Sequence, residues 1–79
     1  MRRKALRRVG KIRGIVEGKL ILDGEILPKL GEKVYDSSMR EVGVVLSVLG
    51  PKNRFFIEVK PSKKAMELSK GQPLYLKED

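Results

Sequence analysis

Between Lys33 and Pro61 the chain repeats its apolar residues with a period of two, and that period limits the kind of fold open to it. Val42, Val44, Leu46 and Val48 alternate with Gly43, Val45, Ser47 and Leu49; Phe55, Ile57 and Val59 alternate with Phe56, Glu58 and Lys60. β-Branched and aromatic residues at this spacing form half-buried strands, because successive side chains leave a strand on opposite faces. Gly50-Pro51 breaks the run and turns the chain, since proline lacks an N–H for a ladder and has a fixed φ. The expected core face is Val42, Val44, Leu46, Val48, Ile57 and Val59. Val45, Leu49 and Phe56 fall out of phase with it, which leaves apolar side chains where an outer face should be polar.

Around this stretch the other elements are short. Met1–Arg8 reads as a flexible basic N-terminal arm, and residues 9–79 as a single domain. Val9–Val16 is a strand candidate whose Gly10 and Gly14 suggest a bulge or tight curvature. Glu17-Gly18-Lys19 gives a short hairpin connection to Leu20–Asp23. Ile26–Gly31 is an extended link around Pro28, and Glu32–Asp36 is the next strand. Ser62–Ser69, with Ser62 as N-cap, has the composition of one short helical turn. Pro73–Leu76 is a last strand. About six short strands with close turns and no internal repeat predict an all-β fold, a small closed six-stranded antiparallel β-barrel, because closure removes exposed edges.

Composition narrows the functions available. At 79 residues the core is small enough to need help from closure or from a partner. The chain has no Cys and no His, so disulfides, thiolate metal sites and the commonest general base are all missing. The net charge of +8 is unevenly placed: residues 1–13 hold seven Lys/Arg and no acid, which leaves eleven cations against ten acids in the remainder. The basic character therefore belongs to the N-terminus. No apolar run reaches the roughly 18–20 residues of a membrane span, and no signal peptide is recognisable, so a cytoplasmic location is expected. The charged fraction of 35% with scarce Asn and Gln leans towards a thermophilic source.

Catalysis is not expected. Ser37, Ser38, Ser47, Ser62 and Ser69 have no histidine to activate them. Ser62 beside Lys63 and Lys64 reads as a helix cap with solvated lysines rather than a Ser-Lys nucleophile. Asp36 and Glu41 flank a turn, where acids are usually solvated or turn-forming. No phosphate loop, metal spacing or cofactor motif occurs. Two binding candidates remain. Arg2, Arg3, Lys4, Arg7 and Arg8 are candidate RNA phosphate contacts, although the arm has no aromatic residue on which a base could stack. Val45, Leu49 and Phe56 are either a second core under the Ser62–Ser69 turn, covered by Met66 and Leu68, or an exposed patch for another protein. In the second case Gly50, Pro51 and Phe55 extend the patch, and Lys52, Asn53 and Arg54 form its polar rim.

The succession PKLGEKVYD, REVGVVLSVLGP, FFIEVKP resembles the GAR protein family, accessory proteins of the box H/ACA ribonucleoprotein that makes pseudouridine under RNA guidance. The family pattern maps onto Pro28–Gly31, Val34–Asp36, Val42–Val45, Gly50-Pro51, Lys60-Pro61 and Leu74–Leu76, and the resemblance covers about residues 9–76. Phe55-Phe56 stands where Pro-Tyr is common, and Lys52 where an apolar residue is common. Eukaryotic members carry Gly-Arg-rich tails, which this sequence does not show, so the resemblance is to the archaeal form of the family. The resemblance implies a six-stranded barrel like domain 2 of translation elongation factors. It implies a non-catalytic subunit that binds the catalytic pseudouridine synthase subunit, with guide RNA an indirect partner. It further implies an influence on the synthase's mobile thumb loop, and so on substrate loading and product release during rRNA modification. The Lys-Val-Tyr-Asp and Val-Gly-Val-Val segments also resemble PRC-type barrels of ribosome-maturation factors, which gives ribosomal protein or rRNA binding as the alternative.

Overall fold

A computed structural model describes residues 5–62 and 68–78. Six strands, β1 (Ala5–Val16), β2 (Lys19–Gly24), β3 (Lys33–Tyr35), β4 (Glu41–Leu49), β5 (Phe56–Pro61) and β6 (Pro73–Glu78), close an antiparallel barrel in the order β1-β2-β5-β4-β3-β6. The expected all-β barrel is thus what the chain forms. The expected helical turn falls mostly on residues 63–67, which lie outside the described residues.

Closure depends on β1, the longest strand. Its first half pairs with β6, from Ala5↔Glu78 to Lys11↔Pro73, and its second half with β2, from Gly10↔Gly24 to Val16↔Lys19. Residues 5–8 are therefore barrel strand and not a flexible arm. Their pairing partners lie at the far end of the chain, which local composition cannot reveal. Register shifts between Arg8 and Gly10 and between Ile12 and Gly14 bend β1 where its neighbours change, as the glycine spacing suggests. The opposite join is slight: β3 is in ladder register with β6 at the single pair Tyr35↔Tyr75.

All six strands send apolar side chains inward. Val9, Ile12, Leu20, Leu22, Val34, Val42, Val45, Phe55, Ile57, Val59, Leu74 and Leu76 form the core, with Val48 and Leu68 packed against it. The phase of β4 differs from the simple alternation. Val45 pairs with Val59 and Ser47 with Glu58, so Leu46 is an extra residue without a partner on β5. One inserted residue reverses the side-chain parity beyond it. Before the bulge Val45 points inward, and Val42 does so too because a second irregularity against β3 falls at Val42; after the bulge Val48 points inward beside Ile57, while Ser47 and Leu49 point out. Hence Val44 is only half-buried and Leu46 is 38% exposed, against the expectation that both are core, and Val45, expected outside, is 2% exposed.

Phe55 closes one end of the core. Its ring occupies the space where a Cβ on Gly24 would lie, which only glycine leaves open, and its carbonyl accepts a hydrogen bond from the Gly24 N–H at 2.9 Å.

Candidate functional site

With parity corrected, the outer face of β1, β2, β5 and β4 can be read row by row. Leu49 lies opposite Phe56, and Phe56 opposite Asp23. Leu49 is 52% exposed and Phe56 half-buried. The Arg13 guanidinium stands 5.4 Å from the centroid of the Phe56 ring and reaches Asp23 Oδ1 with Nη1 at 3.2 Å. The next row runs Ser47, Glu58, Ile21, Gly14. There the Ser47 hydroxyl donates to Glu58 Oε1 at 2.9 Å, and Lys19 Nζ lies 3.8 Å from Glu58 Oε2. No atom comes within 4 Å of where a Gly14 Cβ would stand, so Ile21 has no side chain beside it on β1. The result is a small apolar centre of Leu49, Phe56 and Ile21 ringed by fixed charges.

A tight loop lies at its end. Gly50 takes φ +102°, a conformation that favours glycine, and the Arg54 N–H donates to the Pro51 carbonyl at 3.0 Å. Pro51, Lys52, Asn53 and Arg54 are all exposed. Of the nine expected contact residues, Leu49, Gly50, Pro51, Lys52, Asn53, Arg54 and Phe56 therefore stand together on the outside. Val45 and Phe55 do not: they are core side chains, Val45 because of the bulge at Leu46 and Phe55 because it shares the inward phase of Ile57 and Val59.

A second exposed apolar group escaped the sequence reading. The link after β2 is tied to β4 by Gly31 N–H donating to Val45 O at 2.8 Å and Val45 N–H donating to Glu32 O at 2.9 Å. Next to these two anchored residues in the chain, Leu30 is 70% exposed and the bulged Leu46 38% exposed. The available signal was an apolar residue in a link between proline and glycine.

The proposed RNA contacts are placed only in part. Residues 1–4 lie outside the described residues, and Arg7 and Arg8 belong to β1. Arg7 pairs with Glu78 at 3.2 Å and Arg8 with Glu25 at 2.9 Å. The hydrogen bond from Arg8 to Glu25, and then the carboxylate's charge, raise the arginine pKa above its ordinary value. The turn acids separate. Glu41 faces Lys33 at 3.6 Å, whereas Asp36 is buried and accepts the N–H groups of Ser38 and Arg40 at 2.9 and 3.0 Å and the Arg40 Nε at 3.2 Å. Burial alone pushes the Asp36 carboxyl up, but the two backbone donors and the arginine outweigh it and hold the pKa below the usual carboxylate value. Asp36 is a turn-forming acid with all its visible partners in its own turn.

Neither a protein-family model nor a curated protein matches the chain.

Proposed function

We propose that the chain is a non-catalytic, protein-binding subunit of a box H/ACA ribonucleoprotein. It docks on the catalytic pseudouridine synthase subunit through Leu49, Phe56 and the Gly50–Arg54 loop. The observation that carries this reading is the outward Leu49–Phe56 pair beside that loop. A closed barrel offers no free edge for strand addition, so an exposed apolar centre with a polar rim is the feature that can bury area against another protein. Support for this partner comes from the sequence resemblance, whose Gly50-Pro51 element forms the end of this face. The docked barrel would bias a mobile loop of the synthase between open and closed states, which requires only that it bind the two states with different affinity.

The test is reconstitution with the synthase subunit. Leu49→Asp should weaken association by roughly 30-fold or more, as expected for the centre of an interface, with the barrel melting within a few degrees of wild type. Retention of wild-type affinity by folded Leu49→Asp and Phe56→Asp proteins would remove this face from the interface and the proposal with it.

A further inference from the structure

The other side of the barrel carries a different chemistry. On β6, Leu74 and Leu76 point inward, so Tyr75 and Lys77 point out. Tyr75 lies directly opposite Tyr35 of β3 on one side and Arg8 of β1 on the other. These are the only two tyrosines of the chain. They come together at the pair that closes the barrel, both half-buried with part of each side chain accessible. Lys77 sets its ammonium 4.4 Å from the centroid of the Tyr35 ring. Lys33 lies two residues before Tyr35 on the same face, and Lys11 lies opposite Pro73. Lys11 then leads into a shallow groove of about 330 Å³ lined by Lys11, Ile12, Arg13, Asp23, Lys70 and Gly71, three cations to one carboxylate. The carboxylates that approach the tyrosine side are Glu25 on Arg8 and Glu41 on Lys33; Lys11 and Lys77 have no ion-pair partner among the described residues.

We propose that the outer face of β1, β6 and β3 binds a single-stranded nucleic acid, with a base stacked on Tyr75 and phosphates running from Lys77 past Arg8 and Lys11 into the groove. A basic stripe alone attracts any polyanion, but an accessible aromatic within it selects strands whose base faces are open, and a duplex offers such faces only at its two ends. The arm's cations lacked an aromatic neighbour in sequence; the pairing of β1 with β6 supplies one. Tyr75 and Lys77 lie on a strand across the barrel from Leu49 and Phe56, and only the far wall of the groove, Arg13 and Asp23, is shared with the docking face, so the stacking contact stands or falls independently of the docking reading.

The test uses the whole chain and end-labelled oligonucleotides of about ten nucleotides, within the span of small barrels that bind single strands. The probes are RNA and DNA of one sequence, each also as a blunt duplex. One or both single strands should bind more tightly than their duplexes, and the tighter of the two identifies the natural sugar. Tyr75→Ala should weaken the single-strand complex about tenfold while Tyr75→Phe stays within about twofold of wild type, because stacking needs the ring and not the hydroxyl. Lys77→Gln should lower the slope of log affinity against log salt by about one without changing the preference for single strands. In a Tyr35→Phe protein, whose only tyrosine is Tyr75, strand binding should quench tyrosine fluorescence. Binding that ignores Tyr75→Ala in a folded protein, equal affinity for duplex and single strand, or complete loss on removing residues 1–4 alone would each overturn the proposal. Leu49→Asp should leave every one of these values unchanged.

Discussion

The two sides of this barrel are built by the same rule and differ in what the rule leaves outside. On the β2-β5-β4 side the outward row is Asp23, Phe56 and Leu49, an apolar centre beside a tight loop. On the β1-β6-β3 side it is Arg8, Tyr75 and Tyr35, amphipathic rings among cations. The first can exclude water from a protein interface; the second keeps a polar handle on each ring and draws polyanions. With a core shared by all six strands, neither side can be altered from within without unfolding the other. Each can be altered from outside at little cost. A barrel of this size can therefore carry two partners because its alternating strands separate the residues that hold the fold from those that meet the solvent.

The largest effect should come from crossing that boundary. Val45→Asp buries a carboxylate with no partner in the centre of the core, a change worth several kcal/mol against a stability of about 5–15 kcal/mol. The expected outcome is a protein without a cooperative thermal transition. Leu49→Asp, four residues later on the same strand, should melt within a few degrees of wild type. If the two variants melt alike, the bulge at Leu46 does not set the phase of β4, and the division into inner and outer residues fails there.

The next effect concerns the closing join. Asp36 directly follows Tyr35 and fixes the turn into β4 by accepting two backbone N–H groups. Asp36→Ala leaves those donors without their acceptor and should cost about 2 kcal/mol, or about 10 °C in a domain this small. Because the folded carboxyl has its pKa held down, the unfolded chain takes up the proton first. This stabilisation is complete at pH values above the ordinary carboxylate pKa and is lost as pH falls through the lower folded value. Asp36→Asn keeps an acceptor but cannot ionise. Melting curves from neutral to strongly acid pH should therefore show a gap between wild type and Asp36→Asn that narrows as pH falls. A gap constant with pH would mean that the turn does not depend on the charge. Loosening this turn should also disturb Tyr35 and the nucleic-acid face while leaving docking through Leu49 intact.

How much of this was legible follows from where each pairing lies. β4 and β5 are close in sequence and strongly periodic, and with β2, read from its hairpin connection to β1, they fall where the sequence places them. The phase within β4 was not legible, because Val44-Val45-Leu46 is apolar at three consecutive positions and any of them suits either face. Phe55 was in phase with Ile57 and Val59 from the start, and the period was the better guide to it than its neighbourhood to the loop. Ala5–Arg8 looks like a solvated arm because its pairing energy comes from residues more than sixty positions away. The Tyr35–Tyr75 pairing is non-local too, a single ladder pair joining residues forty positions apart.

The smallest expected effect tests how the docking face is kept in shape. Arg13 rests on the Phe56 ring and bonds Asp23, all at half-exposed positions where a cation–π contact and a surface ion pair are each worth about 0.5–1 kcal/mol or less. Arg13→Ala should therefore lower the melting temperature by less than about 10 °C. Its effect on docking is separable from that. Without the guanidinium the ring of Phe56 is free to adopt other rotamers, and the ordering lost in the free barrel has to be restored on binding, which weakens association by about threefold. Arg13→Lys keeps the charge but lacks the planar fork that spans ring and carboxylate, so it should fall between the two. Because the ion pair is exposed, raising the salt to about 0.5 M should shrink the difference in stability while leaving most of the difference in affinity. Equal loss of both with salt would mean that Arg13 acts on the partner through its charge and not through Phe56.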